Sequence, residues 1–323
     1  MAGGEPKIDR SLTLQFIGDW GQANFHRICS WLSLEFCARA GPRSRTAIWS
    51  IRGGGIEAVD LVQDGEADLC VVTPAMLMPA ALEGRLIFAS RPAPNVRSLA
   101  VLPQDDRMVL ALDPKLGIST FAELRAKRPP LRIATSSDDG SNFIGYVARL
   151  MMSAHGIDEA TLNSWGGRYV TDTRPPVSIG RMVRGEVDGL LQEAVMTPGW
   201  VEIVESGKGV LIPAEVAALR KLAELGFRAN PLPAGYWSGL NREVPALDFS
   251  DFLVLVRDDM PDDVAYLLTW CLIEQRGWLE RQYHHLPPTR SPLTYPLVPE
   301  RMARPTVPLH RGARRYFVDS GLL

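Results

Sequence analysis

The chain reads as an α/β protein of two similar lobes, and three observations predict it. Residues 46–73 (TAIWSIRGGGIEAVDLVQDGEADLCVVT) run strand, glycine loop, helix, turn, strand. The second half of that stretch returns in diluted form at 177–192 (VSIGRMVRGEVDGLLQ), where the Gly-Glu-x-Asp of Gly65 and Asp68 reappears at Gly185 and Asp188. Upstream, LTLQFIGDWGQANFHRICSWL and LRIATSSDDGSNFIGYVARLM both pass from an apolar strand through a polar glycine loop into a helix. Gly21 matches Gly140 and Phe25 matches Phe143 at nearly one offset. Two copies are too few for a solenoid, which stacks three or more short repeats. Two lobes imply a cleft between them, and clefts at domain interfaces are where small ligands usually bind.

Taken in order, 12–17 is strand-like and 18–24 is a polar loop, after which Phe25, Ile28, Leu32 and Phe36 recur at helical spacing. Gly41-Pro42 stops that helix. A β-rich run at 46–51 leads into Gly53-Gly54-Gly55 and an amphipathic helix carrying Ile56, Val59 and Val62, capped by Gly65. The apolar run 69–72 predicts a short strand in a parallel sheet. Pro74 and Pro79 bracket a turn or short helix, 91–95 is a loop, 108–112 a strand, and 121–126 a brief helix stopped by Pro129-Pro130.

The second lobe opens with a strand at 131–134, a loop at 135–142 and a helix at 143–155. Residues 163–176 read as irregular, 192–200 as a loop at a strand's carboxyl end, 216–225 as a helix, and 230–241 (NPLPAGYWSGLN) as a loop. An apolar strand at 249–256 returns the chain to lobe one. Pro261 then opens a long helix reaching Tyr283, and the tail is mostly loop until a last helical turn at 312–319. Crossings near 108–113 and 249–257 make lobe one discontinuous (1–110 with 255–323) and lobe two continuous (111–254). Two crossings make a hinge, and closure around a ligand is the expected motion.

With 323 residues the chain is long enough for two cores. A net charge of −2 argues against a nucleic-acid or anionic-membrane surface, so no nucleic-acid partner is expected. No apolar run approaches the roughly 20 residues that span a bilayer. The four cysteines lack CxxC spacing, and Cys29 and Cys37 stand about 12 Å apart along one helix, too far to pair. Buried free thiols are the expectation. The start, MAGGEPKIDRSLTLQF, has no basic region leading into an apolar one. As it stands the chain reads as cytoplasmic, or as periplasmic if a signal has been trimmed.

The order strand, glycine loop, helix, GEAD, strand, then LDPKLGISTFAELRAKRPPLRIATS, then MVRGEVDGLL, resembles the type II periplasmic solute-binding proteins. The ending PLHRGARRYFVDSGL is similar to that of the TAXI-type receptors that feed TRAP transporters. The resemblance spans nearly the whole chain. It implies a two-lobed Venus-flytrap fold with two hinge crossings, a small organic acid or amino acid in the cleft, and membrane permease subunits as partners. The first loop, GDWGQANF, departs from the family pattern through its acidic Asp19. Some relatives of this fold are cytoplasmic decarboxylases of aromatic diacids, which keeps an enzyme as the rival reading.

Candidate ligand contacts follow from loop positions. Arg52, Gly53 and Gly54 stand between a strand and a helix start, where unpaired amides and the helix dipole favour an anion and an arginine can grip a carboxylate with two hydrogen bonds. A plain turn with a surface arginine is the bland alternative. Gly53, Gly55 and Ala58 also fit a dinucleotide fingerprint, but Val72-Thr73-Pro74 stands where an acidic residue is needed. Thr135, Ser136, Ser137, Ser141 and Asn142 form the equivalent loop of lobe two, with some of them expected to cap the helix.

Asp19, Trp20, Gln22 and Asn24 hold the matching place in lobe one. Trp20 either stacks on the ligand or is structural. Asp19 repels a bound carboxylate unless Arg52 neutralises it or the ligand carries an amine or hydroxyl, and in the enzyme reading it is the general acid/base. Thr73, Gln192 and Glu193 follow strand carboxyl ends, the crevice side of open α/β sheets. Tyr236 and Trp237 either close over the ligand or pack. His284-His285 points two imidazoles about 100° apart on a helix with no third ligand, so neither a metal nor a cofactor is expected. The first reading is a binding protein that traps a small organic carboxylate. The second is a cofactor-independent lyase using Asp19 with Arg52 and Trp20.

Overall fold

The computed structural model describes residues 4–18, 24–51 and 55–323. It divides into unit 1, Met1–Asp105 with Ser250–Leu323, and unit 2, Asp106–Phe249. Unit 1 begins with β1 (Thr13–Ile17), α1 (Asn24–Cys37), β2 (Arg45–Trp49), α2 (Ile56–Gln63), β3 (Leu69–Val72), α3 (Met78–Glu83) and β4 (Val96–Leu102). Unit 2 contains β5 (Arg107–Leu112), α4 (Phe121–Lys127), β6 (Arg132–Ser136), α5 (Phe143–Ala154), α6 (Glu159–Ser164), β7 (Arg168–Asp172) and α7 (Pro175–Val183). It continues through β8 (Gly189–Gln192), α8 (Pro198–Glu205), β9 (Val210–Ile212), α9 (Val216–Glu224) and β10 (Leu247–Asp248). Unit 1 resumes with β11 (Phe252–Arg257), α10 (Asp262–Glu274), α11 (Arg276–Arg281), α12 (Pro299–Met302) and α13 (Arg311–Asp319).

The two sheets share one strand plan. Unit 1 has the order β2-β1-β3-β11-β4, and unit 2 has β7-β6-β8-β5 followed by β9 and β10, which both pair with β5. In each, a central strand (β1 or β6) lies parallel to two neighbours, and the next strand along (β11 or β5) is antiparallel. Each passage of the chain between units leads straight into that antiparallel strand. The two crossovers within a unit run in opposite directions along its sheet, so right-handed connections put their helices on opposite faces. This places α1 opposite α2, and α5 opposite α7.

The repeated Gly-Glu-x-Asp does the same work twice. Gly65 and Gly185 take φ values of 75° and 70°, the left-handed conformation that ends α2 and α7 and that glycine adopts without strain. Asp68 then accepts the Gln15 N–H at 2.7 Å and donates its own N–H to the Gln15 carbonyl at 2.8 Å. Asp188 does likewise with Arg132, at 2.9 Å both ways, and also grips the Arg132 guanidinium. The Arg132 hydrogen bond holds the Asp188 carboxyl below its usual range.

Each unit has its own core. Unit 1 buries Phe16 of β1, Ile28, Leu32 and Phe36 of α1, Leu268 and Leu272 of α10, and Tyr316 and Phe317 of α13. Unit 2 buries Ala134, Ile179, Met182, Leu190, Trp200 and Trp237. Among the described residues no helix is long and apolar enough to cross a membrane. Four strands, β4, β7, β9 and β10, run where no strand is expected from the sequence. β4 is buried on both faces, so it has no alternation, and β7 is an edge strand of mixed polarity paired only with β6. The stretch 192–200, read as loop, gives its last residues to α8, whose Pro198 sits at a first turn where its missing N–H costs nothing.

Candidate functional site

Of the residues singled out in the sequence, Asp19, Trp20, Gln22, Arg52, Gly53 and Gly54 lie outside the described residues. The best-defined strand-end loop is therefore that of unit 2, between β6 and α5. Thr135 and Ser136 are fully buried. Ser136 Oγ accepts from Gln192 Nε2 at 3.1 Å, and Gln192 Oε1 takes the Glu193 N–H at 3.0 Å. The Thr135 carbonyl accepts from Ser178 Oγ at 3.0 Å. These polar side chains knit the ends of β6 and β8 to α7.

Asn142 is the α5 cap. Its Oδ1 accepts the N–H groups of Ile144 and Gly145 at 2.8 and 3.2 Å, and the residue is 2% exposed. Those two amides are thus taken by the cap that the sequence led one to expect from a member of this loop. Replacing Asn142 with alanine is expected to lower unfolding stability by about 1–2 kcal/mol, read as a lower urea midpoint at unchanged slope.

Ser137 and Ser141 are the partly exposed members of the loop. The Ser137 N–H donates to the Asp172 carbonyl at 3.3 Å, which ties the loop to the end of β7. Ser141 donates its hydroxyl and its N–H to Asp139 Oδ1 at 2.6 and 3.1 Å, and the hydroxyl bond holds the Asp139 carboxyl below its usual range. Asp138 and Asp139, both exposed, make this loop acidic, a feature the serine-rich reading passed over. The cation whose charge reaches Asp138 is Arg149 of α5. Arg174 follows β7 by two residues at the α7 N-cap, it is exposed, and among the described residues its guanidinium has no hydrogen bond or ion pair. Arg181, by contrast, is spent on Asp172 at 2.8 and 3.0 Å. An arginine between a strand end and Pro-Pro is the signal in the sequence that marks Arg174.

At the end of β8, Glu193 is 7% exposed, and Asp106, a residue no motif points to, accepts the N–H groups of the two residues that follow it, Ala194 at 3.0 Å and Val195 at 3.1 Å. In unit 1, Thr73 Oγ1 donates to Gln104 Oε1 at 3.3 Å, and the Asn24 side-chain oxygen accepts the Tyr283 hydroxyl. Tyr236 and Trp237 belong to the unit 2 core. Trp237 is fully buried, its ring stacks on Trp200 at 6.1 Å, and Tyr236 meets it edge-on at 4.9 Å. Of the two sequence readings, packing is the one their surroundings describe. Among the described residues no group of three or more His, Cys, Asp or Glu is placed to hold a metal ion.

The model of the NMT1-like family matches residues 39–321. No curated protein matches the chain. Among solved structures, a protein from Bordetella bronchiseptica RB50 is similar over 98% of this chain and 99% of its own, at 13% identity and a TM-score of 0.54. MatC from Rhodopseudomonas palustris with bound malate aligns over 81% of this chain and 83% of its own, at 14% identity and TM-score 0.47. The alkanesulfonate-binding protein SsuA from Xanthomonas axonopodis pv. citri, bound to MOPS, aligns over 88% and 87%, at 15% identity and TM-score 0.40. The chain has a mixed α/β fold of two units, each with its own sheet, similar to that of the Bordetella protein.

Proposed function

The chain belongs to the NMT1-like family, and from that premise we propose that it is a solute-binding protein capturing a small organic carboxylate with the loops at the carboxyl ends of its parallel strands. The observation that carries the reading is the duplicated strand plan, entered in each unit through an antiparallel strand. Ligands of open α/β sheets bind at strand carboxyl ends. The TAXI-type receptor, with membrane permease subunits as partners and a periplasmic place of work when exported, is the specific form proposed. Within unit 2 the carboxylate is assigned to Arg174, and the Ser137 and Ser141 hydroxyl oxygens are assigned to accept from a hydroxyl or amine of the ligand, since the Ser141 proton goes to Asp139. Asp138 and Asp139 then favour a ligand that also carries a hydroxyl or amine.

The test is calorimetric titration with hydroxy acids, keto acids, dicarboxylates, amino acids and aromatic acids. One saturable site for an acid is expected, and silence across the panel would refute the reading. Arg174→Ala is expected to weaken that binding by about tenfold or more, the worth of one charge-assisted hydrogen bond. Its melting temperature should stay that of the parent, because the guanidinium holds nothing else among the described residues.

A further inference from the structure

Each unit buries one histidine almost completely: His155 in unit 2 is 3% exposed and His310 in unit 1 is 1% exposed. His155 closes α5. Its Nδ1 lies 2.7 Å from the Met151 carbonyl oxygen, and its Nε2 takes the N–H of Glu215, the N-cap of α9, at 2.9 Å. His310 is the N-cap of α13. Its Nδ1 takes the Gly312 N–H at 3.1 Å, and its Nε2 lies 3.2 Å from the Asp258 carbonyl oxygen. A backbone N–H only donates and a carbonyl only accepts, so each ring is neutral with one bare nitrogen. The two tautomers are opposite: the proton sits on Nδ1 in His155 and on Nε2 in His310.

We propose that His155 and His310 are an acid switch: a proton on the bare nitrogen turns an acceptor into a donor and releases the start of α9 in unit 2 and of α13 in unit 1. Both helix starts anchor other contacts. Glu215 also grips Arg125 of α4 at 2.8 and 2.9 Å, and Arg125 donates to the His155 carbonyl at 2.9 Å. Behind His310, α13 carries the buried Ala313, Tyr316 and Phe317. The switch does not depend on the binding reading above.

The charges facing each ring are of both signs. Around His155, Glu215 favours a protonated ring, while Arg125 of α4 and Lys221 of α9 oppose it. The Phe121 ring stacks on this imidazole at 3.6 Å and covers one of its faces. Around His310, Asp262 of α10 favours a protonated ring and Arg311 of α13 opposes it, and these two pair with each other at 3.4 Å. The nearby acids have cations of their own: Asp258 pairs with Arg97 at 3.3 Å and Asp259 with Arg257 at 2.8 Å. Burial is the largest influence on both rings and holds each imidazole below its ordinary value. The unfolded chain therefore takes up these protons more readily than the folded one. The stability the rings contribute is whole above about pH 6.5 and is lost as pH falls from there toward the lowered values.

The experiment is the unfolding stability of the ligand-free chain from about pH 8 to about pH 5, for the parent, His310→Asn and His155→Gln. Asparagine caps a helix start without titrating, and a glutamine oxygen accepts an N–H at every pH. Relative to each variant, the folding equilibrium constant of the parent is expected to fall by up to about tenfold per pH unit below about pH 6.5. Variant curves that run parallel to the parent's would overturn the switch. Should a variant not fold, nitrogen NMR of the parent's imidazoles decides. The proton should be found on Nδ1 of His155 and on Nε2 of His310, and both rings should stay neutral to a lower pH than a free histidine. The other tautomer, or a ring that titrates at or above about pH 6.5, would reject the proposal. Neither readout needs a ligand, so a failed ligand search and a failed switch are distinguishable.

Discussion

Gly312→Ala is expected to lower the melting temperature of unit 1 by roughly 6–12 °C, the equivalent of about 3 kcal/mol or more. A Cβ at this position would stand 2.1 Å from the Asp262 carbonyl oxygen and 2.9 Å from the Tyr266 nitrogen, both backbone atoms of α10. Neither can swing aside. To reach ordinary contact α13 must back away by roughly 1 Å, since close packing forfeits its attraction over such gaps. What it leaves is large: Ala313 and Phe317 are fully buried and Tyr316 is 2% exposed. The Tyr316 hydroxyl also donates to Glu274 at 2.6 Å. Alanine gains only about 0.5–1 kcal/mol over glycine from helix propensity, so the clash wins. Gly277→Ala in α11 is the control, because nothing lies within 4 Å of its added Cβ. Differential calorimetry reads both. A Gly312 variant melting within a degree of the parent would mean that α13 does not rest on α10 as described.

That glycine belongs to the PLHRGARRYFVDSGL ending on which the family resemblance leaned, and the structure gives the ending a packing reason. The segments legible in the sequence are those whose local signals agree with their surroundings. The run Leu69–Val72 is a strand with the bounds its Gly turn and Pro74 suggest, and Asn142 caps a helix of the expected length. Where the signal is tertiary, sequence fails. Residues 168–172 become a strand because β6 offers them a partner, and 96–102 because β11 does. The site follows the same rule. Thr135, Ser136 and Gln192 are polar by type, and their full burial comes from the tertiary fold rather than from any local pattern. Asp106 sits in a polar Gln-Asp-Asp-Arg stretch resembling any loop, and only folding brings it to Ala194 and Val195.

Gly145→Ala is expected to cost more in function than any other single methyl group in unit 2. Its added Cβ would lie 1.8 Å from the Ser137 carbonyl oxygen and 2.8 Å from the Asp138 nitrogen. The β6–α5 loop therefore runs directly across the first turn of α5, and only a residue without a side chain admits it there. Alanine must displace the loop backbone by more than 1 Å to reach ordinary contact. That shift strains the Ser137 N–H bond to Asp172 and the Asn142 cap, whose oxygen takes the Gly145 N–H. Helix propensity again returns at most about 1 kcal/mol, against a packing penalty of about 1–3 kcal/mol and a broken cap of about 1 kcal/mol. If Ser137, Ser141 and Arg174 hold the ligand, affinity should fall by about 100-fold, near 2.7 kcal/mol, since all three are placed by this loop or by the strand end it is tied to. Gly140→Ala separates shape from strain. Its φ of 83° disfavours alanine by about 1–2 kcal/mol, but nothing lies within 4 Å, so stability should drop while the loop keeps its course. Measured side by side, loss of affinity in the Gly145 variant with retention in the Gly140 variant ties binding to the path of this loop. Equal affinities would place the ligand elsewhere.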